Sequence, residues 1–150
     1  MAGGCHYEAQ LNEASRLVAD MIGWTNWRLV YQSRSGPPTQ PWLEPDICDY
    51  LQQVHDERIV EQVVIVPIGF VSDHMEVLFD LDTEAKKFCE QLNLPVVRAG
   101  TVGTHPVFVA ALRELIVERM SDSPNRKALG TMGPSHDVCP EDCCLSGRAE

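Results

Sequence analysis

At 150 residues, 44% hydrophobic and 23% charged, the chain has the composition of one ordinary globular domain with a core of its own. Its formal net charge of −10 argues against binding to nucleic acid or to an anionic membrane surface, because both need clustered lysine and arginine. No apolar run could span a bilayer and the start "MAGGCHYEAQ" has no signal-peptide pattern, so we expect a cytoplasmic protein whose six cysteines are thiols or metal ligands.

Hydrophobic spacing and turn residues predict three alternations of strand and helix in the first 120 residues. Strands are predicted over 27–33, 61–70 and 94–100, and helices over 6–22, from about Pro45 to 57, after 72, and over 105–120 with Phe108, Leu112, Leu115 and Ile116 toward a core. The second strand is apolar on both faces, as in a buried parallel strand. The sequence therefore predicts an α/β domain over 1–120, a three-layer parallel sheet with flanking helices. Residues 121–150 form a turn-rich, cysteine-containing tail that we expect to be loosely ordered without a ligand.

Three acidic residues line up on the helix that follows the turn "PIGFVSDH": Glu76, Asp80 and Glu84. Open parallel sheets bind ligands at the carboxyl ends of their strands, where this turn is expected. Like charges at this spacing cost about 0.2–0.5 kcal/mol per pair. One interpretation is a solvated acidic face. The other is a track of oxygen ligands that passes a divalent cation along, with His74 at its inner end, although His74 alone could equally be a capping or core histidine.

Two longer stretches carry a family resemblance. "VVIVPIGFVSDHMEVLFDLDTE" resembles the signature of the ferrochelatases, and "VYQSRSGPPTQPWLEPD" (30–46) is similar to a second motif of the same family, in the same order along the chain. The resemblance extends from about Tyr7 to Met120, and the tail is similar to the actinobacterial type. It implies a chelatase-like fold in which this chain is the second of two domains. It also implies insertion of ferrous iron, the substrate metal, into coproporphyrin III or protoporphyrin IX during haem biosynthesis.

The resemblance implies a role for each matching residue. Glu76 corresponds to the glutamate that faces the macrocycle, and His74 to the histidine of the same signature. Asp80 and Glu84 correspond to the outer acids of a metal path. Trp42 lies in a loop that walls the porphyrin pocket, and the second motif supplies Gln32 and Ser33 as substrate-binding residues.

One expected element has no counterpart in the sequence. The principal catalytic histidine of the family belongs to a Ser-x-His motif ahead of the segment that begins here with Cys5, and these 150 residues do not include it. We therefore expect the C-terminal half of a ferrochelatase, lacking its N-terminal domain or a partner chain and nearly inactive alone. Two alternatives remain, a cobalt or nickel chelatase and a non-catalytic iron–sulfur or metal-binding module.

Four cysteines suggest a metal centre. Cys139, Cys143 and Cys144 lie in the tail and Cys5 lies at the other end of the chain, which supplies the four thiolates of a [2Fe–2S] cluster such as the resemblance implies. Adjacent Cys143 and Cys144 depart from the usual spacing, so one of them could be a spectator with His136 in its place. A zinc site and a reduced, disordered tail are the alternatives. Cys48 and Cys89 lie within predicted helices and are expected to be core residues.

Overall fold

A computed structural model describes residues 6–33, 37, 39, 42–121 and 126–138. Its elements in chain order are α1 (Tyr7–Ile22), α2 (Ile47–Asp56), β1 (Val63–Ile65), a π-helical segment (Val77–Ala85) continuous with α3 (Lys86–Leu92), β2 (Val96–Arg98) and α4 (Pro106–Met120). The chain divides into two compact units, Arg28–Val109 and the combination of Met1–Trp27 with Ala110–Glu150. The predicted boundary between residues 120 and 121 falls within the second of these and stays a prediction.

The helix boundaries follow from capping residues in the sequence. α1 ends at Gly23, whose φ of 72° is the left-handed conformation that glycine adopts without steric cost, and this confirms the predicted stop. α2 begins after Asp46, which accepts a hydrogen bond from the Cys48 N–H at 2.8 Å. That bond satisfies one of the free donors of the first turn. Pro45, predicted near the start of this helix, directly precedes the cap.

Two strands form the sheet in the described part of the chain. β1 and β2 are parallel, with Val63 opposite Val96 and Ile65 opposite Arg98. The π-helical segment and α3 connect them, as parallel strands require. The prediction of a parallel α/β arrangement is therefore confirmed for these two strands and the helix between them.

The predicted strand over 27–33 is reduced to one parallel bridge between Tyr31 and Asp46. The Tyr31 N–H donates to the Pro45 carbonyl at 3.0 Å, and the Ile47 N–H donates to the Tyr31 carbonyl at 2.8 Å. The pairing stops there because the chain enters α2 at Ile47. A third strand and the three-layer sheet are thus not part of the described structure.

Two burial predictions were wrong. β1 was expected to be buried on both faces, but Val64 is 45% exposed and Val97, opposite it, is 64% exposed, so one face of the sheet is open. α4 was expected to turn Leu112, Leu115 and Ile116 toward a core, and all three are exposed. The apolar residues of this helix are spread around its whole circumference, so no single apolar stripe defines a face to be buried.

The core lies between α2 and the long helix that connects the two strands. Its buried members are Ile47, Leu51, Val77, Leu81, Ala85, Cys89 and Leu94. Four of these recur at every fourth position, from Val77 to Cys89, and each is at most 2% exposed. Cys89 is therefore the core residue that the sequence predicted.

The π-helical segment accounts for this four-residue period. In an α-helix, each step of four residues turns about 40° past a full circle, so a row of such residues drifts around the axis. Hydrogen bonds from i to i+5 widen the turn and offset that drift. The row from Val77 to Cys89 consequently stays on the core side over its whole length. Nothing in the sequence pattern predicted this departure from α-helical geometry.

The described tail residues 126–138 have no regular secondary structure and are held to the two helices of their unit. Glu13 on α1 accepts hydrogen bonds from the N–H and the hydroxyl of Thr131, at 2.7 and 3.1 Å. Lys127 pairs with Glu114 on α4 at 2.8 Å, and Asp137 pairs with Arg119 and Arg126. These contacts fix the segment that directly precedes Cys139.

Candidate functional site

The signature turn lies at the carboxyl end of β1, where ligand sites of parallel sheets occur. Backbone hydrogen bonds shape it, from the Phe70 N–H to the Pro67 carbonyl at 3.1 Å and from the His74 N–H to the Ser72 carbonyl at 3.0 Å. The ring of His74 meets the ring of Phe70 edge to face, with centroids 4.9 Å apart. His74 is otherwise exposed, so it is neither a core histidine nor a side-chain cap of the helix that follows.

The acidic row lies on this helix as predicted. Each acid directly precedes a buried residue of the core row, so the three carboxylates border the face that packs inward. Glu76 and Glu84 are exposed and Asp80 is half-buried. No lysine or arginine in the described ranges pairs with any of the three.

Asp80 is the electrostatic centre of the row. Burial raises the pKa of its carboxyl, and the negative charges of Glu84, Glu76 and Asp46 raise it further. Each of these effects disfavours the ionised form. Asp46, the cap of α2, is a member of this cluster that sequence spacing could not reveal, because it lies thirty-four positions earlier in the chain.

Arg98 separates two other acids from the row. As the last residue of β2, it binds Asp82 through Nε and Nη2 at 2.7 and 2.6 Å, and Asp73 through Nη1 at 2.7 Å. The guanidinium lowers the pKa of the Asp82 carboxyl and the carboxylates raise the pKa of Arg98. The long helix thus carries one acid that is paired with Arg98, Asp82, and three acids, Glu76, Asp80 and Glu84, that have no cationic partner among the described residues. Sequence reasoning missed Arg98, and its place at the end of a strand was the available signal.

The second motif reaches the row through one residue. The hydroxyl of Ser33 donates a hydrogen bond to Asp80, and Ser33 has a left-handed backbone with φ of 60°. The side-chain nitrogen of Gln32 is buried and has no hydrogen-bond partner among the residues described. Trp42 is exposed, and no described contact brings it to the acids. The structure therefore joins Ser33 to the predicted path and leaves Trp42 apart.

The described residues hold no preformed chelate. Within ranges 6–33, 42–121 and 126–138, no three histidine, cysteine or acidic side chains converge as a metal site would require. Cys48 and Cys89 are free thiols, and burial, reinforced by nearby acids, raises the pKa of Cys48 to about 11. Both thiols are therefore inert at neutral pH. The predicted cluster ligands Cys5, Cys139, Cys143 and Cys144 lie outside the described residues, and the alternative ligand His136 is exposed.

The helices that the structure describes include none that is long and apolar enough to cross a membrane.

Fold and site together define an α/β protein with unpaired negative charge at the carboxyl end of its parallel strands. The ferrochelatase family model matches residues 1–120. The chain belongs to the ferrochelatase family, and the resemblance seen in its two motifs is confirmed.

Named relatives agree with this assignment. A ferrochelatase of Rhodopirellula baltica is 56% identical over 145 residues, covering 97% of this chain and 41% of that protein. A coproporphyrin III ferrochelatase of Streptomyces griseus is 51% identical, covering 94% of this chain and 40% of that protein. A third relative, the coproporphyrin III ferrochelatase of Leifsonia xyli, is 48% identical and is covered to 38%. The chain thus spans about 40% of the length of the curated relatives it matches.

Proposed function

We propose that this chain is the C-terminal, iron-handling half of a ferrochelatase, a lyase of haem biosynthesis that inserts Fe²⁺ into a porphyrin. Coproporphyrin III is the favoured substrate, because the names of several similar proteins specify it. The observation that carries the proposal is the division between the acids that Arg98 neutralises and the acidic row. Arg98 neutralises Asp73 and Asp82, whereas Glu76, Asp80 and Glu84 have no cationic partner among the described residues.

An unpaired row of carboxylates suits the first step of iron insertion. A hydrated ferrous ion must exchange its water ligands before it can bind the ring nitrogens. Carboxylates that replace these waters one at a time lower the barrier, with Glu84 and Asp80 acting before Glu76. Burial and the repulsion of neighbouring acids raise the pKa of Asp80, and a divalent cation relieves the repulsion when it arrives, so the row favours the ion over the empty state.

The second step removes two pyrrole protons from the porphyrin. A base close to the ring centre accelerates this step, and Glu76 and His74 at the carboxyl end of β1 are the candidates. The buried nitrogen of Gln32 can donate to an acceptor on the substrate, such as a propionate oxygen. In this proposal, Trp42 packs against the porphyrin. The partner is the remaining part of the enzyme, either an N-terminal domain or a second chain, and the reducing cytoplasm suits the free thiols of Cys48 and Cys89.

Complementation tests the proposed activity. The 150-residue chain would be combined with the part of the Streptomyces griseus relative that it does not cover, and metal insertion would be followed by loss of free porphyrin fluorescence. We expect insertion in the combined sample and little or none with the chain alone. Glu76→Gln should abolish insertion while porphyrin binding persists, because it removes the charge and keeps the shape. Glu90→Gln, an exposed change on the same continuous helix, is the matched control.

Two results would contradict this proposal. Normal turnover by Glu76→Gln would show that Glu76 has no catalytic role. Absence of insertion in a combined sample that binds porphyrin would remove iron insertion itself.

For the tail, we propose that Cys5, Cys139, Cys143 and Cys144 bind a [2Fe–2S] cluster. Four thiolates are the donor set of such clusters. The contact of Glu13 with Thr131 supports the proposal, since it holds the tail segment before Cys139 against α1, the helix that follows Cys5. The pair between Asp137 and Arg119 holds the same segment to α4. When bound, the cluster would cross-link the two ends of this unit through its iron–sulfur bonds.

Anaerobic purification tests the cluster. Visible absorption with about two irons and two sulfides per chain would support it. A colourless protein that binds zinc would replace it with a zinc site. Cys143→Ser and Cys144→Ser form a matched pair, and we expect only one of them to lower the iron content if the other residue is a spectator.

A further inference from the structure

We propose that Arg98 is a positioning residue for His74 and Glu76, acting through Asp73. Its side chain is only 17% exposed and three of its nitrogens are engaged. Nε and Nη2 bind both oxygens of Asp82 on the long helix, and Nη1 binds Asp73 in the signature turn. One guanidinium therefore connects the end of β2 to the turn and to the helix.

The planar geometry of the Arg98 guanidinium fixes the orientation of this connection. A planar guanidinium that binds a carboxylate through two parallel hydrogen bonds has little freedom to rotate. Nη1 also donates to the carbonyl of Ala99 at 3.2 Å, which fixes the group against its own backbone. The arm that reaches Asp73 is therefore held in place by contacts made elsewhere. Asp73 is 43% exposed, so without this arm its side chain would be free in solvent.

Asp73 transmits the constraint because it directly precedes His74. The turn is otherwise held by backbone bonds, such as that from the Gly103 N–H to the Val71 carbonyl at 2.8 Å. These bonds fix the path of the chain, and the Asp73 carboxylate adds the one side-chain ion pair that the described residues make just before the helix. The edge contact between the rings of Phe70 and His74 lies immediately beside that attachment. We infer that Arg98 sets the orientation of the His74 ring and the direction in which Glu76 leaves the turn.

Arg98 also determines which acids are available. It neutralises Asp73 and Asp82 and makes no contact with the acidic row. Replacement by a neutral residue would leave the carboxylates of Asp73 and Asp82 without this cationic partner. A cation would then have competing ligands outside the row. The inference rests on the proposed function only in treating His74 and Glu76 as site residues.

The test uses the 150-residue chain without iron or porphyrin. The measured quantity is the nuclear Overhauser effect between the ring protons of Phe70 and His74, with the His74 signals assigned through His74→Gln. Asp73→Ala removes the arm to the turn and keeps both contacts of Arg98 with Asp82. Arg98→Gln removes the guanidinium and with it the ion pairs with both Asp73 and Asp82. The control is Ser72→Ala in the same turn, because the Ser72 side chain is exposed.

We expect the ring contact to fall to less than half its intensity in Asp73→Ala and Arg98→Gln and to be unchanged in Ser72→Ala. The methyl signals of Val77 and Leu81 report whether the core is intact, which a purely structural role of Arg98 would disturb first. An unchanged ring contact in Asp73→Ala with an intact core would overturn the inference. If Arg98→Gln fails to fold, Asp73→Ala alone decides. A chain that inserts no iron in the complementation assay still gives a valid result here, so the two hypotheses fail separately.

Discussion

Asp80 is the residue at which stability and the proposed function oppose each other. Burial and three neighbouring acids raise the pKa of its carboxyl, so the folded state holds the Asp80 proton more tightly than the unfolded state does. The protein therefore loses stability from this group as pH rises from the unfolded pKa through the folded pKa. A residue kept in such a place, on a helix whose other side is neutralised by Arg98, is consistent with a role in cation transfer.

We predict that Asp80→Asn raises the free energy of unfolding at pH 7 by a few tenths to about 1 kcal/mol. The amide removes the repelled charge and can still accept the hydrogen bond from Ser33. The gain should vanish at a pH below both pKa values, where Asp80 is protonated in either state. Urea unfolding of the wild type and of Asp80→Asn at pH 7 and at pH 3 measures the gain and its loss.

The matched variant is Asp82→Asn on the same helix. Arg98 lowers the pKa of Asp82, so the ionised form stabilises the fold above the unfolded pKa and this contribution is lost as pH falls through the folded pKa. Asp82→Asn should therefore destabilise at pH 7, by about 1 kcal/mol. Equal effects of the two variants, in sign and size, would show that the charge division on this helix has no energetic consequence.

At the level of elements, the long helix depends on its four-residue row. Leu81 is 2% exposed at the centre of the row, whereas Leu78, three positions earlier, is 41% exposed. We predict that Leu81→Ala lowers the free energy of unfolding by about 3 kcal/mol, because it removes transfer energy and leaves a cavity. Leu78→Ala should cost less than about 1 kcal/mol. Similar losses, measured by urea unfolding, would contradict the placement of the core row.

The tail segment 126–138 depends on Glu13. Arg16 and then the Thr131 N–H lower the pKa of Glu13 to about 2, so its contacts persist above the unfolded pKa and are lost as pH falls toward 2. Gly130 has a φ of 72°, a left-handed conformation that favours glycine, and a Cβ there would require the Glu13 carboxylate to shift.

We predict that Glu13→Ala speeds hydrogen exchange of the Thr131 amide by at least tenfold at neutral pH, because this amide loses its acceptor. Glu8→Ala, an exposed change in the first turn of the same helix, should leave that rate unchanged. Slow exchange in both variants would mean that other contacts hold the segment.

Elements with local signals were predictable from the sequence, and those that depend on distant neighbours were not. The ends of α1 and α2 carry their own caps, Gly23 and Asp46. The strand expected over 27–33 had the right composition, but strand formation requires a partner, and Tyr31 finds only the residues that enter α2. Apolar content predicted burial of α4 without specifying a surface to cover it. The π-helical widening depends on packing and has no signature in composition.

At the scale of the whole molecule, the site was partly predictable for the same reason. The acidic row follows from spacing within one helix, and the two motifs identified the family. Asp46 and Arg98 join the site from other elements, through contacts that only the fold creates. The chain spans about 40% of the length of the named relatives.

The division of charge across the long helix also affects how fast a cation arrives. The acids paired with Arg98 contribute little field at a distance, whereas the negative potentials of the row and of Asp46 add up on the side that the row faces. A hydrated divalent ion is attracted twice as strongly as a monovalent one and is steered to that side before it loses any water. Dissolved salt screens this attraction over about 8–10 Å. For the proposed function, capture of iron should therefore slow with rising ionic strength much more than its transfer along the row, where ligand and metal are already in contact.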